Sequence, residues 1–214
     1  MRYSLALLSL WGGLAVAAGC ASGPDVVVEP NYVQHPARLV LIPEPKNDSP
    51  DMDAPSMVQN HIISHMGSKG YSVVGAQQTN ATLATKNIKE GGQIDSMTSK
   101  QLGELFGSDY ILYANIAGFS TTTLVAYTEI SVDLEFRLVR AGTNETVWEC
   151  QKESGETTIA VGRNLGEALA VGLADTVAAA LTPYEPYVDE SISYCLATLP
   201  DASGQMPEKG CMGP

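Results

Sequence analysis

The first half of the chain alternates short apolar runs with stretches in which apolar residues recur at helical spacing. Residues 39–42 form an apolar run that fits a buried strand, and residues 71–74 predict a second strand. Between them, apolar side chains recur three or four positions apart from Met57 to Met66, and Gly70 follows as a helix-ending glycine. The pattern predicts a strand, a helix and a strand in this order.

Two further helices are predicted before the middle of the chain. Residues 76–86 have weak helical periodicity. Residues 98–106 give a stronger signal, because Thr98 and Gln101 have the spacing of a capping box and Gly107 stands where the helix would end. We therefore expect one weak helix followed by one well-defined helix.

The second half of the chain changes to a period of two. Residues 110–116 predict a strand, and apolar and polar positions alternate over residues 129–138, which gives that strand one buried and one solvated face. Residues 141–144 supply a tight turn, and residues 146–150 return as the partner strand. This half of the sheet is therefore expected to be an antiparallel hairpin.

The last part of the chain predicts one long helix and a tail. Residues 164–181 have helical periodicity, with small residues at every fourth position: Gly166, Ala170, Ala174 and Ala178. Small residues permit close approach of another backbone, so this face packs either on the domain's own sheet, which we favour, or on another subunit. Residues 183–214 are rich in Pro, Gly, Ser and Asp without periodicity, and we expect an irregular tail there.

These elements predict an α/β fold: a two-layer sandwich of a mixed sheet with an antiparallel C-terminal hairpin and about four helices, in a globular domain over residues 37–182. The composition agrees, because 44% of the residues are apolar and 17% are charged. The 24 acidic and 12 basic residues give a net charge of -12. Such an acidic surface repels phosphate backbones, so a nucleic-acid partner is excluded.

Residues 1–19 have the pattern of a bacterial lipoprotein signal. Arg2 precedes an apolar segment at residues 5–16, and small residues lead into Cys20. This approach to Cys20 resembles a lipobox, where cleavage precedes the cysteine and its thiol receives diacylglycerol; palmitate-type chains on the same residue make the attachment stable. The alternative is an ordinary signal peptide with an incidental cysteine. We expect a lipidated Cys20, a linker over residues 20–36, and an outer-membrane location, because Ala21 follows instead of aspartate.

Candidate chemistry is sparse along the rest of the chain. Neither a Gly-x-Ser-x-Gly motif nor a glycine-rich phosphate loop occurs, so the sequence predicts no catalytic residue and no cofactor. His61 and His65 lie four positions apart on the first predicted helix and could face one metal ion, but the intervening glutamate of metalloproteases is missing. We expect a partly buried His61, a solvated His65 and no metal site.

Three cysteines remain once Cys20 carries lipid. In an oxidising compartment one pair is the simplest outcome. Cys195 and Cys211 enclose a segment of the predicted tail, and we favour a disulfide between them. A pair involving Cys150 and the absence of any bridge are the alternatives.

The polar loop after the first strand is the candidate contact surface. Asn47, Ser49 and Asp51 are loop-forming residues with no histidine partner for catalysis. We expect these three side chains to contact a partner protein. The alternative is a structural turn that only connects the strand to the helix.

Several short segments together resemble one family, the neisserial genome-derived antigen lipoproteins, which have no assigned activity. The resemblance covers most of the chain beyond the signal and rests on residues 39–43, 47–51, 70–73, 106–113 and 137–139, followed by Trp148. Asn144 departs from the family, which often has glycine in this turn, but asparagine accepts a left-handed conformation. The order and spacing of these segments carry the resemblance.

This resemblance implies both a fold and a role. The family is similar to the curli-secretion lipoprotein and to the amino-terminal domain of the Tol-Pal periplasmic protein, which implies an α/β sandwich used in envelope assembly. We therefore expect a non-catalytic accessory of an envelope or secretion complex, anchored in the outer membrane and facing the periplasm. Its expected partners are the membrane, envelope proteins such as a curli-channel-like lipoprotein, and further copies of itself. The alternative is a binding module for peptidoglycan or a small envelope ligand.

Overall fold

The long antiparallel strands predicted by the alternating pattern dominate the structure. A computed structural model describes residues 27–29, 32, 35–124, 127–159 and 184–206. In this part of the chain, seven strands form one mixed sheet, accompanied by four α-helices and a 3-10 helix. The α/β class, the mixed sheet and its antiparallel hairpin are confirmed.

The elements follow one another in a simple order. The strands are β1 (Val27–Val28), β2 (Leu39–Leu41), β3 (Lys46–Asn47), β4 (Ser72–Val73), β5 (Tyr110–Leu124), β6 (Tyr127–Arg140) and β7 (Glu145–Ile159). The helices are α1 (Ala54–Ser68), α2 (Ala76–Ala84), α3 (Ser99–Phe106) and α4 (Glu185–Leu196), with the 3-10 helix at Gly91–Ser96 between α2 and α3.

The sheet joins a parallel part to an antiparallel part. Its strand order is β1-β7-β6-β5-β2-β4, and β3 also pairs with β5. β2 is parallel to both β4 and β5, whereas β5, β6 and β7 form an antiparallel meander that β1 extends. β5 and β7 extend beyond the predicted residues. The prediction stopped short because the C-terminal halves of both strands are rich in Thr, Ser and Glu and lack the apolar alternation of the N-terminal halves.

Buried apolar side chains form two clusters on opposite faces of the sheet. Val40 and Ile42 belong to the larger cluster and Leu41 to the smaller one, because successive strand residues point to opposite faces. The larger cluster packs α1 and α4 against the long strands around the fully buried Trp148. The smaller cluster contains Leu102 of α3 together with side chains from α2 and the 3-10 helix.

Local signals at the predicted third helix are confirmed. The Thr98 hydroxyl accepts a hydrogen bond from the Gln101 backbone N–H at 3.2 Å, and Gln101 Oε1 accepts one from the Thr98 N–H at 2.8 Å. Gly107 ends α3 with a φ of 66°, and Asn144 occupies the hairpin turn with a φ of 57°. Both residues therefore adopt the left-handed conformation that their types tolerate.

The expectation of an irregular tail over residues 183–214 is wrong for its first part. α4 buries Val188, Ile192 and Cys195 at positions i, i+4 and i+7, which is a helical stripe. Polar residues and Pro186 hid this stripe in the sequence, but proline is tolerated in the first turn of a helix. The segment after α4 is also fixed, because the Trp148 indole N–H donates to Thr198 Oγ1 at 3.0 Å.

The expected Cys195–Cys211 disulfide is also wrong. Cys195 is bonded to Cys150, with their Cα atoms 5.7 Å apart. The physical reason is the same helix, because α4 packs on β7 and brings Cys195 against the strand that carries Cys150. Cys211 lies outside the described residues.

The expected linker over residues 20–36 contains structured residues. Val27 and Val28 pair with Glu149 and Trp148 of β7, and Tyr32 is fully buried. The signal over residues 1–19, the lipidation residue Cys20 and the predicted helix over residues 164–181 lie outside the described residues. Within the described ranges, no helix has the length and apolar character needed to cross a membrane.

Candidate functional site

The β3–α1 loop, residues 48–53, is held by its own side chains. Asn47 Oδ1 accepts hydrogen bonds from the Ser49 backbone N–H at 3.0 Å and from the Ser49 hydroxyl at 2.7 Å. Asn47 Nδ2 donates to the Asp51 carbonyl at 2.7 Å. Asp51 Oδ1 then accepts from the backbone N–H groups of Asp53 and Ala54 at the start of α1. The structure thus brings the three predicted residues together, and their hydrogen bonds hold the loop in a fixed turn.

The residue that this loop presents to solvent is one that the sequence interpretation missed. Met52 is 84% exposed, although methionine is among the residue types most often buried. Its neighbours Asp48 and Asp53 are exposed as well. Exposure of a single apolar side chain depends on the tertiary fold, and hydropathy alone gives no signal for it.

A cleft of about 560 Å³ opens beside the loop, between the segment after β2, the 3-10 helix and the polar face of the long strands. Its charged lining residues are four carboxylates and two cations: Glu44, Asp95, Glu135, Glu149, Lys46 and Arg137. The Lys46 ammonium lies 2.8 Å from Asp48 Oδ2, which connects the cleft to the β3–α1 loop. The cleft and the loop therefore adjoin each other at this ion pair.

Aromatic and amide groups line the floor of the cleft. The Arg137 guanidinium lies 5.4 Å from the centre of the Tyr113 ring, a cation–π distance. Burial raises the pKa of the Tyr113 hydroxyl, and the nearby Arg137 opposes that shift. Asn115 Nδ2 donates to Glu135 Oε2 at 3.0 Å, while Asn115 Oδ1 is buried and accepts from no donor within the described ranges. An incoming donor group would satisfy this oxygen.

One wall of the cleft depends on a glycine. The backbone of Gly91 lies so close to the Pro45 carbonyl that a Cβ atom on residue 91 would overlap it. Gly92, the next residue, has no heavy atom near the same position.

Burial raises the pKa of the Glu44 carboxyl in this wall, and the negative charge of Glu90 adds to that shift.

A second polar cluster joins α1 to α4. His65 Nε2 lies 2.7 Å from Asp189 Oδ1, and His61 Nδ1 lies 3.5 Å from the same oxygen. The expectation of a solvated His65 is therefore wrong, because this side chain pairs with Asp189. Asp189 was missed because it belongs to the segment expected to be an irregular tail.

Comparison with known proteins identifies related chains. A sequence model described as "Putative lipoprotein GNA1162-like" matches residues 31–190. The "Putative lipoprotein NMB1124/NMB1162" of Neisseria meningitidis serogroup B is 25% identical over 196 residues, which are 89% of this chain and 88% of that protein.

Solved structures resemble this chain, and a neisserial lipoprotein shares its fold. The crystal structure of lipoprotein GNA1162 from Neisseria meningitidis matches with a TM-score of 0.53 and 20% identity, over 67% of this chain and 99% of that chain. A PelC dodecamer from Paraburkholderia phytofirmans matches with a TM-score of 0.46 and 10% identity, over 79% of this chain and 89% of that chain.

Proposed function

Because the chain belongs to the GNA1162-like lipoprotein family, we propose that it is a lipid-anchored accessory of an envelope or secretion complex and acts through protein contacts without catalysis. Cys20 carries the lipid, and the domain lies at the outer membrane on its periplasmic side. The lipobox-like approach to Cys20 and the lipoprotein relatives support the anchor.

The exposed Met52 on a rigid loop is the observation that carries the proposal. Methionine is enriched at protein interfaces, where its flexible thioether fills irregular pockets. The hydrogen bonds of Asn47 and Asp51 already fix the loop, so binding costs little additional ordering of its backbone. This arrangement favours a surface that docks into a partner protein.

The charges around Met52 indicate the chemistry of the partner. Asp53 follows the methionine directly, Asp48 belongs to the same loop, and carboxylates outnumber cations in the adjoining cleft. Complementary charges steer association and select partners. The proposed partner is therefore an envelope protein that offers an apolar pocket for Met52 surrounded by lysine or arginine side chains.

Substitution of the exposed methionine tests this proposal. Met52→Asp should remove the envelope complex from native gels of detergent-solubilised membranes, because a charge cannot fill an apolar pocket without a large desolvation cost. Met206→Asp is the matched control, since Met206 is the other large apolar side chain that is markedly exposed among the described residues. Both variants should keep the thermal midpoint of the parent. An unchanged complex with Met52→Asp would exclude the loop as the contact.

The lipid anchor has its own test. Cys20→Ala removes the thiol that receives the acyl chains, so the variant should move from the membrane fraction to the soluble periplasmic fraction. Cys211→Ala controls for the loss of a cysteine as such. Membrane retention of Cys20→Ala, measured by fractionation and detergent partitioning, would contradict lipidation at Cys20.

The cleft favours a second candidate function, a binding module for a small envelope ligand or a peptidoglycan fragment. Tyr113, the surrounding carboxylates and the unsatisfied Asn115 Oδ1 offer stacking and hydrogen-bonding groups in one place. Titration with soluble muropeptides tests it. Gln78 is exposed and lies outside the cleft, so Gln78→Ala is the control. Binding that Asn115→Ala abolishes and Gln78→Ala retains would support the module, whereas no heat or chemical-shift change would exclude muropeptides.

A further inference from the structure

Three potential metal ligands converge where α1 meets α4. His61 and His65 stand one helical turn apart on α1, and both point to the same carboxylate oxygen of Asp189 on α4. One ligand atom from each of the three residues lies within 4.8 Å of the others. One histidine is enough for an ion pair with Asp189. A cation shared by all three side chains would explain why a second histidine approaches the same oxygen.

The separations fit a small metal ion. With metal–ligand bonds of 2.0–2.1 Å in a tetrahedron, neighbouring ligand atoms lie about 3.3 Å apart. The two measured contacts to Asp189 Oδ1, 2.7 Å and 3.5 Å, lie on either side of that value. The His61, His65 and Asp189 side chains are 30%, 28% and 53% exposed, so they can rotate to their final positions without disturbing the core.

The surroundings favour a cation at this point. His65 lies in the last turn of α1, where the helix macrodipole presents its negative end. The chain as a whole carries a net charge of -12, which raises the local concentration of cations. Two imidazoles and one carboxylate are ligands typical of Zn²⁺ and related divalent transition metals rather than of Ca²⁺ or Mg²⁺.

We propose that His61, His65 and Asp189 form a binding site for a divalent transition metal ion such as Zn²⁺, with water as the remaining ligand. The bound ion clamps α4 onto α1. It complements the Cys150–Cys195 disulfide, which ties α4 to β7 from its other end. This site is separate from the Met52 loop, and it replaces the expectation that the two histidines bind no metal.

Zinc titration of the untagged, disulfide-intact protein tests the site. Calorimetry should show one equivalent of Zn²⁺, and the thermal midpoint should rise as Zn²⁺ is added, because a ligand that binds only the folded state stabilises it. His65→Ala and Asp189→Asn should each weaken binding at least about tenfold. His35→Ala, which changes an exposed histidine of the same chain, should leave binding unchanged.

A second probe keeps the test independent of stability. Co²⁺ in place of Zn²⁺ should give the visible absorption of a low-coordinate histidine site, and this absorption should disappear in a folded His61→Gln, His65→Gln double variant. The proposal is overturned if neither ion binds at a stoichiometry of one, or if binding survives in the double variant.

Discussion

Two adjacent glycines show how closely the cleft wall is packed at the residue scale. Gly91 is buried against the Pro45 backbone with no space for a Cβ atom, whereas Gly92 is exposed. Neither has the positive φ that would itself require glycine. The requirement at residue 91 is therefore steric, and it comes from a neighbour distant in sequence.

Alanine should destabilise the protein at position 91 but not at position 92. Gly91→Ala forces the 3-10 helix away from the segment after β2 and should lower the free energy of unfolding by about 1–3 kcal/mol. Gly92→Ala should change it little or increase it slightly, because alanine restricts the unfolded chain. Urea unfolding of both variants measures the difference, and equal destabilisation would contradict the close approach at Pro45.

A buried tyrosine pair predicts the behaviour of the protein in alkali. The hydroxyls of Tyr32 and Tyr71 lie 2.9 Å apart, and the Tyr71 hydroxyl donates to the Pro200 carbonyl at 2.6 Å. Burial raises the pKa of Tyr32 to about 12, partly opposed by its hydrogen bond with Tyr71, and burial also raises the pKa of Tyr71. Both hydroxyls therefore stay protonated in the folded protein at pH values where free tyrosine ionises.

Stability should fall as the pH rises from about 10 to 12. In this window the unfolded chain releases the Tyr32 proton while the folded protein retains it. Ionisation therefore stabilises the unfolded state, by about 2 kcal/mol at pH 12. Tyr32→Phe should lose less stability over the same window, measured by urea unfolding at each pH. An identical loss in that variant would show that Tyr32 does not contribute.

At the scale of elements, the disulfide and α4 stabilise each other's position. The bridge joins residues 45 positions apart, and the chain-entropy relation gives a stabilisation of about 4 kcal/mol for such a loop. Cys195→Ser should therefore lower the thermal midpoint and increase proteolysis of the α4 segment. Cys211→Ser should do neither, and non-reducing peptide mapping should recover Cys150 linked to Cys195.

The elements that the sequence predicted are those with local signals. The alternation over residues 129–138, the Thr98 capping box and the Gly107 helix end each depend on neighbours within one turn or one strand. The short strand β1, by contrast, forms because Val27 and Val28 pair with β7, more than a hundred residues away. Likewise, the stripe of α4 has meaning only beside the sheet that it covers.

The residues of the candidate site also fall into those that the sequence could predict and those that it could not. Asn47, Ser49 and Asp51 could be found because loop-forming residues have a local signature, although the structure uses their side chains to hold the turn. Met52, Asn115 and Asp189 could not be found, because their exposure, unsatisfied hydrogen bonding or ligand geometry arises only when distant segments meet.

At the scale of the whole molecule, the proposed contact surface, the disulfide and the proposed anchor occupy different parts of the chain. The Met52 loop begins at the end of β3, whereas the disulfide ties the C-terminal helix to β7. The proposed lipid is attached at Cys20, before the first described strand. A tethered domain can thus present the Met52 loop to a partner while its fold is secured elsewhere.

Site-specific photocrosslinking in intact envelopes tests whether the Met52 loop contacts an envelope protein. A photoreactive amino acid at position 52 should give one discrete adduct with an envelope protein, and the same group at position 206 should not. Asp48→Lys should reduce the adduct at position 52, because it reverses a charge that the basic partner surface contacts. Equal labelling at positions 52 and 206, or no adduct at position 52 while the protein is membrane-bound, would contradict an accessory role through this loop.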